Sequence, residues 1–473
     1  MMKSILIYLF IACFLIPVSV QSQNSTTETF DPEYFPIAVW LQSPSNAAKY
    51  KANGINLFIG VHQGLTLDKL NNFKAAGMKF ICSQNEFALD HLDESLIYGW
   101  MHGDEPDNAQ WNSTTNKYDP CINPGLIIDD YEEIIENDPS RPVYLNLGRG
   151  VAYTTWGGRG VCTGDTNMYK VSYDGYLKGC DIASFDIYPV NSKEKDVQDN
   201  LWYVARGIEN LRRWSDYEKP VWCWIETTRI NENPGRKPTP AEVKSEVWMA
   251  ITHGASGIGY FCHSFYPSFK EAGLLQDFEM INAVKKINAQ IKSLAAVLNS
   301  PDTTGIATIS SSISSVPVHI MTKHYDNNNY IFAVAMRPGQ TEATFDINVD
   351  KEVEVLGENR KIQAVNGKFT DDFADYGVHI YKYSTIPSHV EELESKSMLE
   401  PKIYPNPTSR IVNLEFPETF NGILTVTDNT GKRILEKYIS SQTCSFDLSD
   451  TKGGVYFLQI KGDKNSWHKI VKF

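Results

Sequence analysis

The sequence predicts an α/β chain with a (β/α)₈ barrel over residues 30–298, a small antiparallel β-sandwich over 299–384, a linker over 385–400 and a second β-sandwich over 401–473. Three observations predict it. Eight short apolar runs bounded by turn residues recur up to position 262, and segments with helical spacing lie between most of them. After Leu298 the helical spacing stops and short alternating segments with polar turns take over.

Taken in order, the chain opens with Lys3, an apolar stretch over 5–20, and small or modest residues at Gln21 and Ser22. This reads as a signal peptide over 1–22. The apolar runs fall at 37–41, 55–61, 79–83, 98–103, 143–148, 181–188, 221–226 and 257–262. Helical segments fall at 66–76, 125–136, 197–214, 241–252 and 278–298. Strands alternating with helices predict a parallel sheet, and eight units in roughly 270 residues predict a closed barrel. An open doubly wound sheet is disfavoured, because no GxGxxG follows the first run. Seven alternating segments then fall at 305–309, 318–324, 330–336, 341–347, 352–355, 361–365 and 378–382, with turns such as "YDNNNY" and "GENR". Their alternation predicts an antiparallel sandwich, read as a structural accessory of the barrel. The segment 385–400 is rich in Ser and Glu without a core pattern and reads as a linker.

Composition narrows the function. A formal charge of −13 argues against nucleic acid as a partner. There is no CxxC and no HExxH, so no metal site is expected, and no organic cofactor motif is present. Of eight cysteines, Cys13 lies in the leader. The seven that remain leave at least one free thiol. Cys82, Cys180, Cys223 and Cys262 fall in or beside strands and read as small buried hydrophobes. Cys121 and Cys162 fall in loops after the fourth and fifth strands and are placed to bridge above the barrel.

Two carboxylates carry the chemistry. Glu105 in "GWMHGDEP" closes the fourth run and Glu226 in "VWCWIETT" closes the seventh. In a βα barrel, catalytic groups come from the C-terminal ends of strands. Two glutamates there are what a retaining glycosidase needs, one as acid/base and one as nucleophile, about 5 Å apart. An ionisable residue closing the apolar strand 221–226 is unusual as core packing.

With these residues in place, the barrel resembles the clan A glycoside hydrolases, a group of retaining (β/α)₈ enzymes. The resemblance implies Glu105 as acid/base and Glu226 as nucleophile. The clan places Asn before its acid/base, where this chain has Asp104, so the hold on the sugar's 2-hydroxyl differs, or Asp104 is itself the acid. The resemblance also implies that Tyr188, in "FDIYP", hydrogen-bonds the nucleophile, with Asp186 on the same face. The tail, with "PKIYPNPT" from Pro401, "GGVYFLQI" from Gly453 and a basic end, resembles the C-terminal sorting domain of the type IX secretion system of Bacteroidetes-type bacteria. That resemblance implies the type IX secretion machinery as a partner and a place outside the cell or on its outer surface.

Further candidates for holding substrate are His102 at the end of the fourth strand, Trp40, His62 and Gln84 at the ends of the first three, and Trp224 two residues before Glu226. The loop 148–162, "GRGVAYTTWGGRGVC", adds Tyr153, Trp156, Arg149 and Arg159. Aromatic faces there suit the C–H faces of sugar rings. The expected substrate is a β-linked polysaccharide cut internally, a β-glucan first and an algal galactan second. A non-catalytic carbohydrate-binding surface protein and a transglycosylase are the alternatives the same residues allow.

Overall fold

The structure is a computed structural model that describes residues 31–153, 168–386, 401–428, 432–461 and 465–473. The leader expected over 1–22, most of the linker (387–400), and Trp156, Arg159 and Cys162 lie outside the described residues. The chain divides into two compact units, 1–386 and 387–473.

In the first unit all eight apolar runs become strands of one closed parallel barrel: β1 (Ile37–Trp40), β2 (Leu57–Ile59), β3 (Lys79–Cys82), β4 (Ile97–Met101), β5 (Val143–Leu147), β6 (Ile182–Asp186), β7 (Val221–Glu226) and β8 (Gly257–Phe261). Each strand pairs with its sequence neighbours, and β8 closes on β1 with Ile37 opposite Ile258. Strand alternation sorts the side chains into two layers. Trp40, Ile59, Met101, Tyr144, Trp222 and Trp224 fill the barrel interior. Cys223 and Ile225, between the two tryptophans of β7, face the helices instead. Inside, the Trp224 indole N–H donates to Tyr144 Oη at 2.9 Å and its ring meets Trp40 edge-on at 5.0 Å. The interior is therefore a packed plug beneath the mouth.

The five expected helical segments form, at Leu67–Ala76, Pro124–Asn137, Tyr203–Trp214, Pro240–Thr252 and Phe278–Ser293, the last continued by Ala295–Leu298. Pro240–Thr252 begins with a full capping box between Thr239 and Glu242, with Pro at its first position. A sixth long helix, Met168–Lys178, was not legible. It carries Gly175 mid-helix, a residue that weakens helical sequence signals. Here the glycine serves contact, since a Cβ at 175 would meet Pro124 at 2.8 Å.

The sandwich packs on the same unit. Its three-stranded sheet orders Thr308–Ser311, Thr341–Asp346 and Lys368–Phe373; its five-stranded sheet orders Val318–Tyr325, Asn328–Ala335, Val378–Ser384, Glu352–Val355 and Arg360–Gln363. The strand Lys368–Phe373 is an addition to the seven expected. Trp248 of the barrel stacks on Phe332 of the sandwich at 5.7 Å, and Ser245 Oγ donates to the Tyr376 carbonyl at 2.7 Å. The barrel core thus continues into one face of the sandwich.

The second unit is antiparallel. The long strand Ile411–Asp428 pairs with Lys402–Tyr404, Arg433–Asp447 and Gly454–Lys461, and Asn465–Lys472 closes the edge. It holds its own core, including Val412, Leu414, Leu424, Leu458 and Ile470. Lys472 is buried there, and its amine donates to the Leu448 carbonyl at 2.7 Å. Buried amines need such acceptors. Among the described residues no helix is long and apolar enough to cross a membrane.

Candidate active site

A cavity of about 590 Å³ opens at the C-terminal ends of the strands. One side carries Asp104, Glu105, Asn108, Asn146, Arg149 and Asp186; the other carries Trp40, Tyr188, Phe261, His263, Phe265 and Phe269. Polar groups therefore face an aromatic wall. Phe261 lies 5.1 Å from Tyr188, and His263 stacks on Phe269 at 5.9 Å. Phe269 is 62% exposed, so the wall extends to the rim. A larger cavity, about 760 Å³, lies at the barrel–sandwich seam beside Lys244, Lys286 and Lys382, away from the strand ends.

Glu105 is held by backbone strain and by its neighbours. Its φ is +46°, a conformation that disfavours residues other than Gly. Its N–H donates to the Asn146 carbonyl at 3.1 Å, and its own carbonyl accepts from Asn108 N–H and Gln110 Nε2, both at 3.0 Å. This turn, set by Gly103 and Pro106 on either side, lifts the side chain into the cavity. Gly148 leaves room for it: a Cβ there would sit 2.5 Å from Asn108 Nδ2 and 3.3 Å from Glu105 Oε1. Gly148→Ala is therefore expected to lower kcat on any substrate of the site and to lower the thermal midpoint, because the buried Asn108 must shift to make room. Paired activity and melting measurements check both halves.

Asp186, at the end of β6, lines the cavity together with Glu105, close enough for the two carboxyls to interact electrostatically. Its Oδ1 is buried and has no hydrogen-bond partner among the described residues. Burial, and then the Glu105 carboxyl, hold Asp186 well above the usual carboxylate range. The proton of the pair resides on Asp186, because two adjacent carboxylates cannot both ionise cheaply. Asp104 lies at the exposed rim and accepts from Asn146 Nδ2 at 2.9 Å. Behind the pair, Asp107 is buried, accepts from Gly148 N–H at 2.8 Å and Tyr173 Oη at 3.0 Å, and is pushed up to about 7 by burial.

Of the residues singled out from the sequence, Glu105, Asp104, Tyr188 and Trp40 line this cavity, as does Arg149. Trp224 lies one layer below, packed under Trp40. Five expectations are corrected. Glu226 is fully buried and does not line the cavity; its carboxylate accepts from Val190 N–H at 2.6 Å and Asn191 N–H at 2.9 Å. The expected Tyr188–Glu226 hydrogen bond is absent among the described residues, since those backbone amides take its place. His102 continues the outward parity of Trp100, is buried, and its Nε2 donates to the Gly179 carbonyl at 2.7 Å. His62 is exposed and away from the cavity, and Gln84 Nε2 donates to the Ile134 carbonyl at 3.0 Å. Trp156 lies outside the described residues. Cys121 is disulfide-bonded, and Cys82, Cys180, Cys223 and Cys262 are buried free thiols.

Sequence reasoning missed the aromatic wall of Phe261, Phe265 and Phe269. The spacing of four residues in "YFCHSFYPSF" was its only signal. Among the described residues no group of His, Cys, Asp or Glu is arranged to hold a metal ion.

Residues 402–472 match the family described as the secretion system C-terminal sorting domain. The tail is thus a sorting domain, which marks the chain as secreted or held at the outer cell surface. No curated protein matches the chain. Among solved structures the chain is similar to an α-amylase from Geobacillus thermoleovorans complexed with acarbose, at 10% identity and a TM-score of 0.45, over 75% of this chain and 99% of that one. It is similar to a glycoside hydrolase family 30 subfamily 8 xylanase from Clostridium acetobutylicum, at 12% identity and a TM-score of 0.41, over 74% and 95%. A GH27 β-L-arabinopyranosidase from Geobacillus stearothermophilus follows at 8% identity and a TM-score of 0.42, over 74% and 97%. At such TM-scores these likenesses carry no weight for activity, and a functional reading has to come from the residues of the site.

Proposed function

We propose that this chain is a secreted glycoside hydrolase acting on a β-linked polysaccharide, with Glu105 and Asp186 as its working carboxyl pair. The observation that carries the reading is that both carboxyls line the cavity at the barrel mouth, opposite an aromatic wall. Asp186 holds the proton and gives it to the leaving glycosidic oxygen. Glu105 attacks the anomeric carbon, the C–O bond to the leaving sugar breaks, and a glycosyl ester forms. Water then attacks that ester's anomeric carbon, Asp186 takes the water's proton, and Glu105 is released as carboxylate. Carboxyls about 5–5.5 Å apart serve retention and those beyond about 6.5 Å serve inversion. Two carboxyls on one side of a single cavity suit the shorter, retaining separation.

The exposed aromatic rim suits a chain of sugars rather than a single ring, since each ring face offers a stacking surface. A β-glucan is the first substrate and an algal galactan the second. Incubating the full chain with a panel of both polymers, reading reducing ends and following the fresh anomeric proton by NMR, tests the reading. Release of reducing ends with the β-anomer formed first is expected. Binding to a polymer without any cleavage would make the chain a carbohydrate-binding protein instead, and the α-anomer formed first would make it an inverting enzyme.

A further inference from the structure

We propose that Glu226 is a positioning residue: from beneath the cleft, it and the two threonines after it fix the loop segments that form one wall of the substrate site. The kinetic consequence rests on the glycosidase reading; the geometry does not.

The triplet Glu226-Thr227-Thr228 is almost wholly buried, and each member ties a different segment. Glu226 Oε1 accepts from Val190 N–H at 2.6 Å, and Oε2 accepts from the backbone N–H of Asn191 at 2.9 Å and from its Nδ2. Asn191 passes the restraint on. Its Oδ1 accepts from Ile230 N–H at 2.8 Å and Asn231 N–H at 3.3 Å, so the segment after β6 is stitched to the segment after β7. Thr227 Oγ1 donates to the Phe261 carbonyl at 2.7 Å, and Thr228 Oγ1 donates to the His263 carbonyl at 2.5 Å. The segment after β8 is thereby joined as well, and Phe265 N–H adds a bond to the Arg229 carbonyl at 3.1 Å. These segments carry Tyr188, Lys193, Ile230, Asn231, Phe261 and Phe265 into the cavity.

A carboxylate suits this post better than an amide. Three N–H donors converge on both oxygens, and an amide offers only one oxygen to accept. Its remaining neighbour is Glu246, on the helix Pro240–Thr252, which has no donor among the described residues and lies against Glu226. Burial and then the Glu226 charge hold Glu246 well above the usual carboxylate range, so the negative charge stays on Glu226, facing the three N–H groups.

The test uses the full chain and two variants, Glu226→Gln and Thr228→Val. Hydrogen exchange followed by mass spectrometry reads the wall directly. In Glu226→Gln, peptides covering 189–191 and 230–231 should exchange at least roughly tenfold faster, the loss of about one buried charge-assisted hydrogen bond. Peptides of β2 and β3 should not change. On the substrate found in the panel, KM should rise roughly tenfold with kcat within a few-fold, because the wall binds sugar and does not react. Thr228→Val, a near-isosteric change, should give the same pattern in weaker form and serves if Glu226→Gln folds poorly. Unchanged exchange in both variants overturns the proposal. So does a Glu226→Ala protein whose lost turnover is restored by azide with formation of a glycosyl azide, because that marks a nucleophile. If the parent hydrolyses nothing, the glycosidase reading falls alone, and the exchange result still decides the role of Glu226.

Discussion

Glu105→Gln is expected to cut hydrolysis by on the order of 10⁴-fold or more, with substrate binding retained. The amide keeps the shape and much of the hydrogen bonding of the site but supplies no nucleophilic oxygen. The backbone around Glu105 gives a reason to expect so large an effect. A non-glycine residue at φ +46° costs of order 1–3 kcal/mol and persists where its surroundings over-determine it. Initial rates and binding on the same polymer check the prediction; a Glu105→Gln protein within tenfold of the parent would remove Glu105 from the chemistry. Asp186→Asn should differ in kind. It should slow natural glycosides strongly but aryl glycosides with good leaving groups far less, because those need no proton at departure.

The second large effect concerns stability. Glu226→Ala leaves three buried N–H donors and the Glu246 carboxyl facing nothing. Each buried donor left unsatisfied costs about 1–3 kcal/mol. Denaturant unfolding of the full chain should show it as a lowered midpoint of the larger unit. The pH dependence follows from the same pair. Burial pushes Glu226 up to about 7, and burial together with Glu226 holds Glu246 well above the usual range. Both groups bind protons more tightly folded than unfolded. Their contribution is fully present below the unfolded value, about 4.3 for Glu, and is lost as pH rises through the folded values. Asp107, pushed up to about 7, has the same sign. The parent midpoint should therefore fall between pH 5 and pH 8, and Glu246→Gln, which keeps a donor and cannot ionise, should flatten the fall. A parent midpoint that rises over that interval would contradict these raised values.

The barrel was legible because each strand is a short apolar run and each helix has its own spacing, both local signals. The mouth was only half legible. Glu105 announces itself, since Gly103 and Pro106 break the strand around an acid. Glu226 looked equivalent by position, closing a strand whose Trp222 and Trp224 face the interior. Its carboxyl is instead captured by Val190 and Asn191, residues 35 and 36 positions away in sequence, whose nearness only the closed barrel creates. Asp186 was visible beside Tyr188, but its place in one cavity with Glu105 brings β4 and β6 together at the mouth, and no local pattern encodes that. His102 failed for a simpler reason: strand alternation gives two faces, and the sequence alone does not say which one looks inward.

The central claim is that Glu105, and not Glu226, forms the bond to sugar. The most direct measurement is to inactivate the full chain with a 2-deoxy-2-fluoro glycosyl fluoride of the sugar released in the panel, digest it, and locate the added mass by tandem mass spectrometry. The account predicts the label on the peptide containing Glu105, at that residue. A label on Glu226 would contradict it.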